Sequence, residues 1–305
     1  MKRIIYLTAC LFAIAVTGCK KNEIKQFSEP AKGALVKFIH VAPGTPGLDG
    51  YINNAKVTPT TILGVTDNLT LVSISTGYTY LNVFPGSNYS VSVSGNTAIK
   101  VAASTNVPVL QSAQTSAPGT VIGSVTQATT DGDAYSVFAI GLPGSTTTPL
   151  SVKVVKDNFP AASSGKAYIR FANFIPNGPA LDLSGTYTPT NGTATTAAIS
   201  TGIAYGALSD FIAVNVNALG TTTYVFQAYS AGTTTKVGAA SSNIALTPGR
   251  YYTLIARGLY ADYAVPGTSI TLKATARPTL PTTDPTTRFP EIYFNVPGLT
   301  YYTNK

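Results

Sequence analysis

A histidine and an aspartate lie on either side of a proline-rich stretch near the start of the sequence. His40 and Asp49 bracket Pro43 and Pro46. A carboxylate that orients an imidazole is half of a catalytic triad, so this pair suggests the chemistry of a hydrolase. His40 is also the only histidine in the chain, and any Ser-His-Asp or Cys-His enzyme would have to use it.

The same pattern returns later in the chain with asparagine in place of the histidine. Asn173 and Asp182 bracket two prolines at the same spacing, 133 residues (173 − 40) after the first pair. Asparagine cannot act as a general base, although asparagine and neutral histidine can both donate and accept hydrogen bonds. No recurring serine or cysteine nucleophile accompanies either pair. We therefore expect His40, Asp49, Asn173 and Asp182 to brace loops, and we expect no catalytic residue.

A second group of acids, Asp131-Gly132-Asp133, has the alternation with which an EF-hand calcium loop begins. The third acid and the terminal glutamate of such a loop are missing. The corresponding turn later in the chain is Pro248-Gly249-Arg250, which retains no acidic ligand. The pattern therefore predicts a tight turn, and we expect neither a metal site nor a cofactor.

A cysteine near the start of the chain lies in a different kind of motif. The sequence Val16-Thr17-Gly18-Cys19 resembles a bacterial lipobox, in which the cysteine receives acyl chains and the preceding segment is removed. It follows a short basic start and an uncharged run, residues 4–16, that is too short to span a bilayer. An ordinary secretory signal and an uncleaved anchor are the alternatives.

The lipobox resemblance predicts the cellular location of the protein and its attachment to a membrane. Residues 1–18 are expected to be a lipoprotein signal peptide, Cys19 the site of lipid (palmitate) attachment, and residues 19–33 a polar tether. Several acyl chains give stable membrane anchoring, which one chain does not. We expect a lipid-anchored protein of the cell envelope, in the outer membrane of a Gram-negative bacterium, with its periplasmic or surface face left open.

The elements that must position these residues recur along the chain in two blocks. Residues 34–49 match 167–182, and residues 132–142 match 249–259 in the same order. The repeated unit spans both blocks and is therefore long enough to be a whole domain, so the sequence predicts two tandem domains. The predicted boundaries are 33–158 for the first domain, 165–275 for the second, and 276–305 for a Pro/Thr-rich linker with a C-terminal strand segment.

Within each block, apolar and polar residues alternate with a period near two, which predicts β-strands. Val36, Phe38 and His40 share one face of the first strand, and Lys37 lies on the other. Arg170 takes the position of Lys37 in the second block. Many short runs of this kind, separated by Gly, Pro and Asn turns, favour an all-β protein of two tandem Ig-like antiparallel β-sandwich domains after the signal peptide.

The composition excludes several classes of protein. Charged residues make up only 10% of the chain, and the two cysteines provide neither a disulfide framework nor a Cys-rich metal site. The formal net charge of +8 is spread out, and Lys20-Lys21 is the only adjacent basic pair after the signal peptide. We therefore expect no nucleic-acid partner. Phosphate loops and dinucleotide fingerprints are also missing from the sequence.

The opening motif resembles that of a bacterial family, the domain of unknown function 4397. His40, Pro43, Pro46 and Asp49 match the positions of that motif. The resemblance implies a β fold in a secreted or surface-anchored bacterial protein, and it implies no particular activity. The second copy keeps the prolines and the acid and has asparagine for histidine: Asn173, Pro176, Pro179 and Asp182.

These observations lead to one expected function and two alternatives. We expect a non-enzymatic lipoprotein that presents two β-sandwich domains for binding or scaffolding, with the membrane as partner through its lipid. An envelope protein or a glycan is a further possible partner, and a carbohydrate-binding lipoprotein that assists glycan uptake is the first alternative. A hydrolase that uses His40 is the least favoured, because one isolated His-Asp pair does not make a triad.

Overall fold

β-Strands are the only regular elements in the described part of the chain. The computed structural model describes residues 33–45, 48–57, 89–91, 96–103, 116–189, 192–275, 291–292 and 296–305. The all-β fold predicted from the alternation is therefore confirmed. Among these residues, no helix has the length and apolar character needed to cross a membrane. The predicted signal peptide, Cys19 and the tether up to residue 32 lie outside the described residues.

Within the described residues, the first β-sandwich consists of eight strands in two sheets. They are β1 (Ala34–His40), β2 (Leu48–Ile52), β3 (Ala55–Lys56), β4 (Tyr89–Val91), β5 (Asn96–Ala103), β6 (Val121–Ala128), β7 (Ala134–Ile140) and β8 (Ser151–Lys156). One sheet has the order β4-β1-β7-β8 and the other the order β3-β2-β5-β6. Phe38, Ile99 and Val137 belong to the buried cluster that fills the space between them.

The second β-sandwich repeats this arrangement. Its strands are β9 (Lys166–Asn173), β10 (Leu181–Tyr187), β11 (Thr195–Ile203), β12 (Ile212–Asn215), β13 (Thr222–Ser230), β14 (Ile244–Leu246), β15 (Tyr251–Arg257) and β19 (Gly298–Thr303). The sheets have the orders β12-β9-β15-β19 and β11-β10-β13-β14, which match the first sandwich strand for strand. The C-terminal strand, which the sequence set apart from the 165–275 domain, thus forms the edge of its sheet.

The two recurring sequence blocks meet in the same register in both sandwiches. β1 runs parallel to β7 with Phe38 opposite Val137, and β9 runs parallel to β15 with Phe171 opposite Leu254. Among the strands that the structure describes, each sandwich therefore has one parallel pair beside its antiparallel ones. Residue alternation predicts which face a side chain occupies, but it carries no information on strand direction.

The face of β1 that points away from its own core packs against the sheet that contains β9, and the corresponding face of β9 packs against the sheet that contains β1. Ile39 and Phe138 from the first sandwich share a buried cluster with Phe174 and Ile255 from the second. The rings of Phe138 and Phe174 are 4.7 Å apart between centroids. The two inner sheets therefore pack face to face, and the described residues from Gly33 onward belong to one compact unit.

A small third sheet fastens the loops at one end of this interface. It consists of β16 (Tyr263–Ala264), β17 (Thr271–Leu272) and β18 (Glu291–Ile292). Leu272 packs so closely on Gly44 that a Cβ there would lie 2.5 Å from a Leu272 methyl group. The Tyr263 hydroxyl donates to the Pro143 carbonyl at 3.0 Å.

The short joint between the two predicted domains, residues 159–164, is fixed to the second sandwich. The Tyr168 hydroxyl accepts from the Ser163 N–H at 2.9 Å and donates to the Ala161 carbonyl at 2.8 Å. The Tyr251 hydroxyl donates to the Pro160 carbonyl. Because these tyrosines are stacked at 4.7 Å, the joint is tied to a rigid surface.

Candidate functional site

His40 lies at the end of β1, and its imidazole is hydrogen-bonded to the loop that follows. It is 2% exposed. The Ala42 N–H donates to Nδ1 at 3.3 Å, and Nε2 lies 3.2 Å from the Thr45 hydroxyl. The same hydroxyl donates to the Ala42 carbonyl at 2.9 Å, so it accepts from Nε2. This arrangement requires the neutral tautomer with its proton on Nε2, which leaves no basic nitrogen directed at a substrate.

Asn173 occupies the corresponding position in the second sandwich and is fully buried. Its Oδ1 accepts from the Ile175 N–H at 3.1 Å, two residues ahead, as Nδ1 of His40 does in the first copy. Its Nδ2 donates to the carbonyls of Pro179 at 3.1 Å and Ile203 at 2.9 Å. Asn173 therefore ties its own loop to the end of β11.

The two aspartates make different contacts. Asp182 accepts from the Gly202 N–H at 2.7 Å and from the Gly232 N–H at 2.8 Å, so it links β10 to two neighbouring segments rather than to its own proline loop. Asp49 is buried and forms an ion pair with Lys56 at 2.8 Å across the β2–β3 hairpin. Of the first-copy prolines, Pro46 lies outside the described residues.

The space between His40 and Asp49 is too small for a substrate. A cavity of about 10 Å³ lies among His40, Leu48 and Asp49. That volume is at the lower limit for a single water molecule. The geometry here suits a packed loop.

Replacing His40 with asparagine is expected to lower the free energy of unfolding by about 1 kcal/mol or less. The asparagine Oδ1 can accept from the Ala42 N–H, as Asn173 does with Ile175. His40→Leu has similar bulk but strands the Ala42 N–H, at a cost of about 1–3 kcal/mol. Urea denaturation of both variants measures the difference. Equal losses would mean that the Thr45 contact, which asparagine does not reproduce, carries the stabilisation.

The turn at residues 131–133 is held by its acids. The Gly33 N–H donates to Asp131, Lys156 forms an ion pair with Asp133 at 2.6 Å, and Gly132 has a φ of +80°. The Lys156 hydrogen bond is the main cause that holds the pKa of Asp133 below its usual value. No cluster of three or more His, Cys, Asp or Glu side chains suited to a metal occurs among the described residues.

The interface between the inner sheets contains a buried ion pair that no sequence pattern predicts. Arg170 and Asp157 are both buried, with Nη1 and Oδ1 at 2.7 Å. The Ser136 hydroxyl donates to both Asp157 oxygens at 2.9 and 3.0 Å and accepts from the Tyr302 hydroxyl at 3.0 Å. Arg170 Nε donates to the Thr253 hydroxyl at 3.1 Å. Both ions therefore have further polar partners.

Lys37 has the position of Arg170 in the first sandwich, but it donates to a neutral carbonyl rather than to a carboxylate. Its ammonium donates to the Thr303 carbonyl at 2.6 Å. Burial lowers the pKa of Lys37 below its usual value, and the nearby Asp157 carboxylate partly offsets this shift. The residue that corresponds to Asp157 is Asn304, which accepts from the Thr253 hydroxyl at 2.7 Å and donates to Asp157 at 3.2 Å. Lys37 and Arg170, predicted only to point away from their cores, thus face this interface.

An open groove lies at one end of the second sandwich, where β10 ends and β13 begins. Its volume is about 730 Å³. Its walls consist of Thr, Asn, Val, Pro and one Tyr, and none of these lining residues is charged. The lining residues are Thr186–Pro189, Asn215–Asn217, Thr221–Thr223, Val225 and Asn243. No sequence signal marks these residues, because threonine and asparagine are equally common in strands and loops that bind nothing.

The comparisons with known proteins identify one family. The family model described as a domain of unknown function (DUF4397) matches residues 34–184. The match runs from β1 through the first sandwich and into β10 of the second. No curated protein matches the sequence.

Proposed function

Because residues 34–184 of this chain belong to the DUF4397 family, whose name assigns no activity, we propose a function from the chain's own residues. The protein is a non-enzymatic cell-envelope lipoprotein. It presents two β-sandwiches as a rigid surface for binding or scaffolding.

The observation that carries this proposal is the way in which the two sandwiches are joined. Arg170 of one inner sheet is paired with Asp157 of the other in a buried network, and an apolar cluster extends the contact. Charges buried with hydrogen-bond partners fix one geometry, since a shifted arrangement would leave them unpaired. A fixed spacing between two modules is useful for presenting a surface.

The anchoring part of the proposal rests on the sequence around Cys19. The lipobox Val16–Cys19 follows a basic start and an uncharged run of signal-peptide length. The proposed location is the outer membrane of a Gram-negative bacterium, with the body of the chain held by lipid through residues 19–33.

Replacing Cys19 with serine is expected to abolish acylation and move the protein from the membrane fraction to the soluble fraction. Serine has no thiol to accept the diacylglyceryl group, and the anchor is lost with it. Membrane fractionation with incorporation of labelled palmitate measures both effects, and Cys10→Ser is the matched control. A Cys19→Ser protein that stays in the membrane fraction would refute the proposed anchor.

Carbohydrate binding that assists glycan uptake is a second candidate function, which the uncharged polar groove favours. A hydrolase that uses His40 is the least favoured candidate, and the engagement of both imidazole nitrogens with the loop supports the non-enzymatic proposal.

A further inference from the structure

Two lining residues of the groove in the second sandwich are held by Tyr224. Tyr224 is buried and donates from its hydroxyl to the Asn215 carbonyl at 2.6 Å, which ties β13 to β12. Burial raises the pKa of Tyr224 to about 12, so this hydroxyl stays protonated as a donor. The ring of Tyr187, which lines the groove, stacks on Tyr224 with centroids 4.8 Å apart. The one aromatic ring in the wall is therefore held in place.

The walls offer hydrogen-bonding groups that the protein does not use. Within the described residues, the side chains of Thr188, Thr221, Thr223 and Asn243 have no hydrogen-bond partner in the protein. Hydroxyl and amide groups can both donate and accept. Sugar hydroxyls have the same double character, so such groups suit an uncharged polyhydroxylated ligand.

The composition of the walls argues against other ligands. A phosphate or carboxylate ligand requires cationic or clustered N–H donors, and the lining residues include no Lys or Arg. Calcium and magnesium prefer carboxylate oxygens, and the lining includes no Asp or Glu. The volume of about 730 Å³ lies within the range of about 300–1,000 Å³ that is usual for small-ligand sites.

We infer that this groove binds a neutral oligosaccharide, with Thr223 and Asn243 among its hydrogen-bonding residues and Tyr187 as the surface on which a sugar ring packs. The inference rests on the proposed binding role and adds a ligand class and a site to it.

The test measures binding of neutral oligosaccharides to the lipidated full-length protein. The protein is kept in a detergent without a sugar headgroup, because a glycoside detergent would compete for the groove. An array of neutral gluco-, xylo-, manno- and galacto-oligosaccharides is compared with sialylated and sulfated ones and with neutral peptides. The best neutral binder is then titrated by calorimetry against Thr223→Val/Asn243→Ala.

We expect the double variant to bind about tenfold more weakly, because it loses two hydrogen bonds to the ligand and tenfold corresponds to about 1.4 kcal/mol. Its melting temperature should stay unchanged, because both side chains are exposed. Thr201→Val, an exposed change on β11 outside the groove, should bind as the wild type does.

Three outcomes would overturn the inference: no neutral oligosaccharide binds, peptides or acidic sugars bind instead, or the double variant binds as tightly as the wild type. None of them affects the anchoring proposal, which depends on the fractionation of Cys19→Ser.

Discussion

Replacing Asp157 with alanine lowers the free energy of unfolding by about 3–5 kcal/mol. The change leaves the Arg170 guanidinium buried at the interface without its carboxylate, and an unpaired buried charge carries a cost of this size. It also removes the acceptor for the Ser136 hydroxyl. Urea denaturation of the full-length protein, followed by tyrosine fluorescence, measures the loss.

Two further variants make this prediction specific to the buried pair. Lys156→Ala removes an ion pair of similar length with Asp133, but water screens this exposed pair, so the change should cost far less stability than Asp157→Ala. The double change Arg170→Met/Asp157→Leu removes both charges together and should recover most of the lost stability. If Asp157→Ala were no more damaging than Lys156→Ala, the network would not stabilise the interface.

Deleting residues 297–305 is expected to abolish cooperative folding of the second sandwich. β19 pairs with β15 along its whole length, from Gly298 opposite Arg257 to Thr303 opposite Tyr252. Its loss exposes the edge of β15 and removes the buried Tyr302 from the interface cluster. The combined cost exceeds about 5 kcal/mol, the lower end of the usual stability of a domain. Circular dichroism in the near ultraviolet and thermal melts measure the effect.

Two adjacent tyrosines of β19 provide a matched pair for the same prediction. Tyr302 is 4% exposed, and Tyr302→Ala should cost about 3–5 kcal/mol, as large-to-small changes in a core do. Tyr301 is 40% exposed on the other face, and Tyr301→Ala should cost well under half as much. A truncated chain that melted like the full-length one would mean that the β19 pairing contributes little.

The features of the fold that depend on local pattern could be predicted from the sequence. Alternation around Val36 and Phe38 identifies a strand and the face that it buries, because successive side chains of a strand point to opposite sides. The hydrogen-bonding chemistry that His40 and Asn173 share is enough to predict that both brace loops, without reference to the fold. The structure gives both the same backbone contact two residues ahead.

The features of the structure that depend on contacts between distant segments could not be predicted from the sequence. Alternation places Lys37 and Arg170 on the face away from their own cores, but a lone basic residue on a strand usually lies in solvent. Nothing local to Asp157, at the predicted end of the first domain, indicates that it meets Arg170 from the second. The groove is another case, because its walls come from β10, β12, β13 and the segment before β14.

The place of β1 within its sheet has a mechanical consequence. β1 lies between β4 and β7 and is aligned with β7 from Leu35 to His40. Any load that reaches the chain ahead of Gly33 and acts along this strand meets ladder hydrogen bonds that run across the pulling direction. Such bonds are loaded in shear and must break together, whereas an edge strand pulled sideways peels one bond at a time. The strand that follows the proposed tether is thus the one built to withstand tension.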